Sequence, residues 1–322
     1  MVKNNIELYE KAITRAKSRS TGGFMSIKLD RIKGLSADDI LYNTGQLDAV
    51  PVDLDSIIHF LGVHKISGTF EDIEKIEGKG HISGLVLLNG DEVGVFYNKD
   101  DRLDQKRFTI AHELGHVMHS YYSNQNQPYV YSDYCIFTAE VASTVNEQLL
   151  FDYLYKNSQS DEEKALLLCN QLDNIRSTMY RQTLFADFEH MTHKMVEQGM
   201  PLLPDVLCKE YRHLYEIYHG DDFVIDDVLT YEWARIPHFY RAFYVYQYAT
   251  GISAAVSISK KILNGEADAV ANYRKFLTCG GSDYPINLLK IAGVDMAAPQ
   301  PVEDTLNYFQ EVLDELKPLV KK

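Results

Sequence analysis

The chain has 322 residues, enough for a sizeable core, and sets 32 Lys+Arg against 46 Asp+Glu for a net charge of −14 at pH 7. With 45% hydrophobic and 24% charged residues, the composition is that of a globular chain and excludes intrinsic disorder. A chain this acidic, with no Lys/Arg stripe, is repelled by phosphate backbones, which argues against nucleic acid as a partner.

Cys135, Cys169, Cys208 and Cys279 lie far apart with no CxxC pair. That argues against a cysteine metal site and against a disulfide-stapled secreted fold. The opening Met1-Val2-Lys3-Asn4-Asn5-Ile6-Glu7 lacks the apolar stretch of a signal peptide. Nowhere do about 18 apolar residues run together, so no membrane span is expected. The expected location is the cytoplasm.

In chain order, residues 4–18 read as a short amphipathic helix that stops at the Ser18-Arg19-Ser20-Thr21-Gly22-Gly23 stretch. After Pro51, the spacing of Leu54, Ile57, Ile58 and Leu61 predicts a helix ending at Gly62. Residues 84–88 and 93–97 read as strands, and Asn89-Gly90-Asp91 between them is a hairpin signal. From Gln105 onward helical patterns dominate, broken at 124–129, 199–204, 220–227 and 280–285. The expected fold is α+β and mostly α-helical, with an α/β N-terminal region over 1–106 and a helical catalytic region over 107–322.

Chemistry enters at His112-Glu113-Leu114-Gly115-His116, an HExxH pattern on a helix with Ile110, Ala111, Leu114 and Val117 as its apolar face. Positions i and i+4 share a face, so both histidines can aim a ring nitrogen at one metal ion. Glu113, beside the first of them, can take the proton of an attacking water. Zinc is the ion expected, because it lowers the pKa of bound water to about 7.

A catalytic zinc has three protein ligands and an open position. His119 cannot be the third, because it lies about 10.5 Å along the axis from His112 at roughly 1.5 Å per residue. The helical run Phe137–Leu150 supplies Glu140 instead, with Ala139, Ala142 and Ser143 small enough to let that helix approach closely. Glu147, on the same face as Glu140, is expected to accept a histidine N–H. His190 and His193 have HxxH spacing but no evident third ligand, and are read as structural.

From Phe108 onward the sequence resembles oligoendopeptidase F, of the thimet-oligopeptidase-like zinc peptidases. The blocks that carry the resemblance run from His112 to Ser123, Phe137 to Thr144, Trp233 to Gly251 and Gly280 to Met296. The resemblance implies a helical zincin fold and one zinc held by His112, His116 and Glu140. It also implies Glu113 as general base and acid, and cleavage of short peptides. A histidine and a tyrosine from the Trp233 block are implied to face the zinc, here His238 with Tyr244 or Tyr248. Tyr240 and Tyr246 are the neighbours expected to face elsewhere.

The stretches Pro51–Ile58, Ile82–Leu85 and Arg107–His116 look instead like the ImmA/IrrE-type metallopeptidases, which act on repressor proteins. The chain therefore reads as a chimera joined across Phe108–His116. The implied activity is a zinc metalloendopeptidase acting on short or unfolded peptides, aligned along the edge of residues 84–97. The alternatives are a regulatory protease with a repressor partner, and a zinc-binding interaction module that no longer catalyses.

Overall fold

The computed structural model describes residues 64–68, 84–89, 92–98 and 100–320. The helices expected over 4–18 and 52–61 lie outside the described residues. Among the described residues three strands form one sheet: β1 (His64–Gly68), β2 (Gly84–Asn89) and β3 (Glu92–Asn98), in the order β1-β3-β2. β2 and β3 are the expected antiparallel hairpin, with Val86 opposite Val95 and Asn89 opposite Glu92. β1 is additional, and pairs parallel to β3 with Lys65 opposite Val95.

Directly after β3 comes α1 (Leu103–Asn126), a continuous helix that carries the HExxH segment and packs on β2 and β3. It runs through the boundary expected after residue 106. A single turn, α2 (Tyr129–Ser132), then leads to α3 (Ile136–Lys156), which packs along α1. The approach is close because the facing residues are small. A Cβ built on Gly115 of α1 would stand only 2.5 Å from Ser143 Cα and 2.6 Å from the Ala142 carbonyl oxygen.

The α1–α3 connection is braced from far along the chain. Gly280, at φ +53°, lies where any Cβ would strike the Tyr131 carbonyl oxygen, and the Gly281 N–H donates to that same oxygen at 2.8 Å. Ser123 Oγ, which also lies against Gly280, donates to the Ser132 carbonyl at 2.5 Å.

The helical remainder continues with α4 (Asp161–Ile175), whose first turn is acidic and whose Ser160 side chain accepts from Glu163 N. A π-helical turn (Arg176–Tyr180) passes into α5 (Arg181–Glu197), and α6 (Pro204–His219) packs back on α5. The helical pattern read beyond 227 does not persist as one helix. Pro237 offers no N–H and pushes Ile236 to an extended ψ of 103°. Two 3₁₀ segments (Asp227–Arg235 and Pro237–Tyr240) result, then a turn, before α7 (Tyr246–Leu263) begins. The chain ends through α8 (Ala269–Leu277), α9 (Pro285–Ile291) and α10 (Gln300–Val320).

α7 is the hub of the core. Every residue from Gly251 to Ser259 is buried, because Ser253, Ala254, Ala255 and Ser257 let neighbours close in on all sides. Val141, Ala142 and Val145 of α3 meet Ala254, Ala255 and Ile258 there, together with Phe276, Leu277 and Leu289. Each large apolar side chain buried in this way contributes about 1.5–3 kcal/mol. A second core joins α5 and α6 through Leu184, Phe188, Leu207 and Tyr211. Beside it the buried Glu232 carboxylate accepts from Tyr211 at 3.0 Å, Tyr215 at 2.6 Å, and the Arg181 and Arg235 guanidinium groups. A buried charge is tolerable only when paired this fully. Among the described residues no helix is long and apolar enough to cross a membrane.

Candidate metal centre

His112 and His116 are one turn apart on α1, and Glu140 reaches them from α3. His112 Nε2 and His116 Nε2 are 3.2 Å apart, and Glu140 Oε2 is 3.5 Å from each. An ion with tetrahedral bonds of about 2.0–2.1 Å holds its ligand atoms roughly 3.3–3.4 Å apart, so the three atoms already have that spacing. Their side chains keep 30%, 26% and 28% of their exposure, so the cluster can be reached from outside.

The donor chemistry agrees with the spacing. His112 Nδ1 lies 2.8 Å from Glu147 Oε1, and an ionised carboxylate only accepts, so the proton sits on Nδ1. In the neutral ring Nε2 is then a bare lone pair aimed at His116 and at the Glu140 oxygen. Acceptors that face one another need a cation between them. With no metal bound that cation is a proton. Burial alone would lower His112, but the Glu147 hydrogen bond and the charges of Glu147, Glu140 and Glu113 outweigh it and raise its pKa to about 9. A divalent metal meets the same need with no proton, so the residues fit zinc.

The neighbours hold this arrangement in place. Asn174 Nδ2 donates to Glu147 Oε2 at 3.4 Å, behind the His112 contact, and Thr178 Oγ1 donates to Asn174 Oδ1 at 3.1 Å. Ser143 Oγ donates to Glu140 Oε2 at 3.0 Å, and Asn146 Nδ2 to the Ala111 carbonyl at 3.2 Å. Burial pushes Glu140 up, but the His116 hydrogen bond and both histidine charges bring it below its ordinary value. Glu113 goes the other way. Burial raises it, His112 and His116 oppose, and Glu140 adds to the rise. From the sequence Ser143 shows only as a small residue, and Asn174 carries no local signal at all.

His119 stands apart. It is 1% exposed, stacked on Tyr134 with ring centroids 3.7 Å apart, and its Nδ1 has no hydrogen-bond partner among the described residues. Burial, with the His116 charge, lowers its pKa to about 3. Among the described residues, His112, His116 and Glu140 are the group placed to hold a metal; His190 and His193 are in no such group.

The second 3₁₀ segment and the start of α7 supply an aromatic wall. Tyr244 and Tyr248 line a small pocket with Glu140, Ile136 and Gln247. The Tyr248 hydroxyl is 3.3 Å from His238 Nε2, and the Tyr244 ring stacks on His238 at 13° and 5.5 Å. Burial and the Arg241 charge lower His238, so its ring is neutral near pH 7. Burial, Tyr244 and the Glu140 charge push Tyr248 up, so its phenol keeps its proton. Tyr240 is exposed and Tyr246 packs toward Phe137, so neither shares the wall.

Two histidines a turn apart, the glutamate between them and a carboxylate from the next helix define an HExxH-type centre in a largely helical protein. The chain belongs to peptidase family M3, whose family profile matches residues 103–308. Oligopeptidase PepF of Bacillus subtilis is 49% identical over 215 residues, which are 67% of this chain and 32% of that protein. The crystal structure of oligoendopeptidase-F from Enterococcus faecium matches with a TM-score of 0.62 at 42% identity, over 68% of this chain and 40% of that one. A crystal structure from Chlamydophila abortus, of a protein assigned as a peptidase, gives a TM-score of 0.72 at 35% identity, over 99% of this chain and 54% of that one. The resemblance to oligoendopeptidase F is thus borne out. The chain spans about a third to about a half of the length of these relatives. The Chlamydophila match also takes in the N-terminal third of the chain.

Proposed function

We propose that this chain is a zinc metalloendopeptidase of the cytoplasm that hydrolyses peptide bonds in short or unfolded peptides. The observation that carries the reading is the convergence of His112 Nε2, His116 Nε2 and Glu140 Oε2 beside a glutamate held above its ordinary pKa. His112, His116 and Glu140 would hold the ion. When bound, zinc supplies Lewis acidity toward water and the scissile carbonyl.

The chain's own groups do the rest. Glu113 accepts the proton of the water that attacks the carbonyl carbon. It returns that proton to the nitrogen as the C–N bond breaks, leaving a carboxylic acid and an amine; the second proton of the water then passes from the acid to the amine, giving a carboxylate and an ammonium. Partial burial suits this double duty, because a carboxyl raised toward neutrality both takes and releases a proton readily. Tyr248 keeps its proton and so can donate to the oxygen on which charge develops, with His238 and Tyr244 orienting its hydroxyl. Among the described strands β2 lies at the end of the order, and an extended peptide could pair its backbone there as an added strand.

The test is metal analysis of purified protein together with cleavage of a quenched-fluorescence peptide, with and without a chelator. Zinc at about one per chain and chelator-sensitive cleavage are expected. Glu113→Gln should keep the zinc and lose roughly 10²–10⁴-fold in kcat. Normal turnover in zinc-replete Glu113→Gln would refute the assignment of the base.

A further inference from the structure

Phe243, in the turn between the second 3₁₀ segment and α7, has φ +53°. A bulky residue avoids that region because its Cβ crowds the neighbouring carbonyl, and such conformations persist only where the surroundings enforce them. Here the enforcing group is identifiable. The Phe243 N–H donates at 2.8 Å to Oε1 of Glu189, which belongs to α5, 54 residues earlier, and is 3% exposed. The Phe243 ring lies 4.7 Å from that of His193, one turn further along α5. Packing does not ask for a carboxylate at 189, since Phe185 and Phe188 beside it belong to an apolar core. The next residue after Phe243 is Tyr244, and Tyr248 follows one turn later; both line the pocket with Glu140.

We propose that Glu189 is a positioning residue: it holds Phe243 in the left-handed conformation and thereby aims Tyr244 and Tyr248 at the metal ligands. The inference rests on the peptidase reading for its kinetic readout, but not for its structural one. Among the described residues, the buried Glu189 carboxylate and the strained Phe243 N–H satisfy each other. Together they fix a turn that would otherwise relax toward a negative φ and swing Tyr244 away.

The experiment compares Glu189→Ala, Glu189→Leu (which fills the volume without an acceptor) and Glu189→Gln (which keeps one), each with and without Phe243→Gly. Zinc content, kcat, KM and amide hydrogen exchange over residues 241–248 are measured. The Ala and Leu variants should exchange faster over 241–248 and lose about tenfold or more in kcat at unchanged zinc content and little-changed KM, as expected when a reacting group is misplaced. Glu189→Gln should stay close to the parent. Phe243→Gly should restore much of the loss in the Leu variant, because glycine adopts positive φ freely. The proposal is overturned if Glu189→Leu keeps both its protection and its kcat within about twofold. It also falls if Phe243→Gly leaves the loss unchanged, or if Ala and Leu variants fail to fold even with Phe243→Gly. A parent protein without peptidase activity would refute the proposed function, while the exchange comparison would still decide the role of Glu189.

Discussion

Gly115→Ala tests whether the metal site is set by how closely α1 and α3 approach. The new Cβ would lie 2.5 Å from Ser143 Cα, 2.6 Å from the Ala142 oxygen and 2.8 Å from Ser143 N, all backbone atoms that no side-chain rotation can clear. Carbon atoms rest at about 3.5–4.0 Å, so the helices must part by roughly 1 Å. Glu140 lies one turn from Ser143 and moves with α3, whereas His112 and His116 stay with α1. The 3.5 Å separations would grow to about 4.5 Å, more than a single ion with bonds near 2.0–2.1 Å can span. Zinc affinity should fall by at least about 10–100-fold, the loss seen when groups supporting a metal site are removed. Overpacking of this kind costs about 1–3 kcal/mol, so the Tm should drop by several degrees. Competition against a fluorescent zinc chelator and a thermal melt read both effects. Gly251→Ala is the control, because its Cβ would meet Glu140 Cβ at an ordinary 3.8 Å. Gly115→Ala with parental affinity and Tm would refute the reasoning.

Glu140→Ala should empty the metal site, whereas His119→Ala should leave zinc content nearly unchanged at some cost in stability; the reverse pattern on metal analysis would break the ligand assignment. His119 also predicts an acid sensitivity. Its folded pKa near 3 lies below the unfolded value of about 6.5, so the unfolded chain takes a proton that the folded one refuses. Its contribution is whole above pH 6.5 and is lost as pH falls toward 3, at up to about 1.4 kcal/mol per pH unit. His119→Phe should flatten the decline of Tm between pH 6.5 and 4, and an unchanged slope would count against a neutral buried imidazole.

What was legible in the sequence was what repeats locally. The i, i+4 histidines, the small face of the Glu140 helix and the hairpin at 84–97 are written in near neighbours, and the structure contains each of those elements. β1 escaped because a parallel partner of β3 has no turn signal linking the two strands. The helical reading failed between 227 and 245, where Pro237 and the conformation of Phe243 override an apolar, aromatic pattern that resembles a helix. Asn174 and Glu189 could not be found at all. Their importance lies in contacts across 27 and 54 residues, which periodicity does not encode.

The seat of Gly280 and Gly281 against the α1–α3 connection also has a temporal side. Synthesis runs from the N-terminus, so all three candidate ligands leave the ribosome before the glycines that brace the link between them. They also emerge before α7, whose buried face packs against α3. Until those segments exist, the spacing of Glu140 from the two histidines rests on the direct α1–α3 contacts, without the glycine brace or the α7 face behind them. On the proposed zinc reading, firm metal capture would then follow completion of the C-terminal helices rather than emergence of the HExxH segment. A nascent chain stalled between the two would display every candidate ligand on helices not yet held from behind.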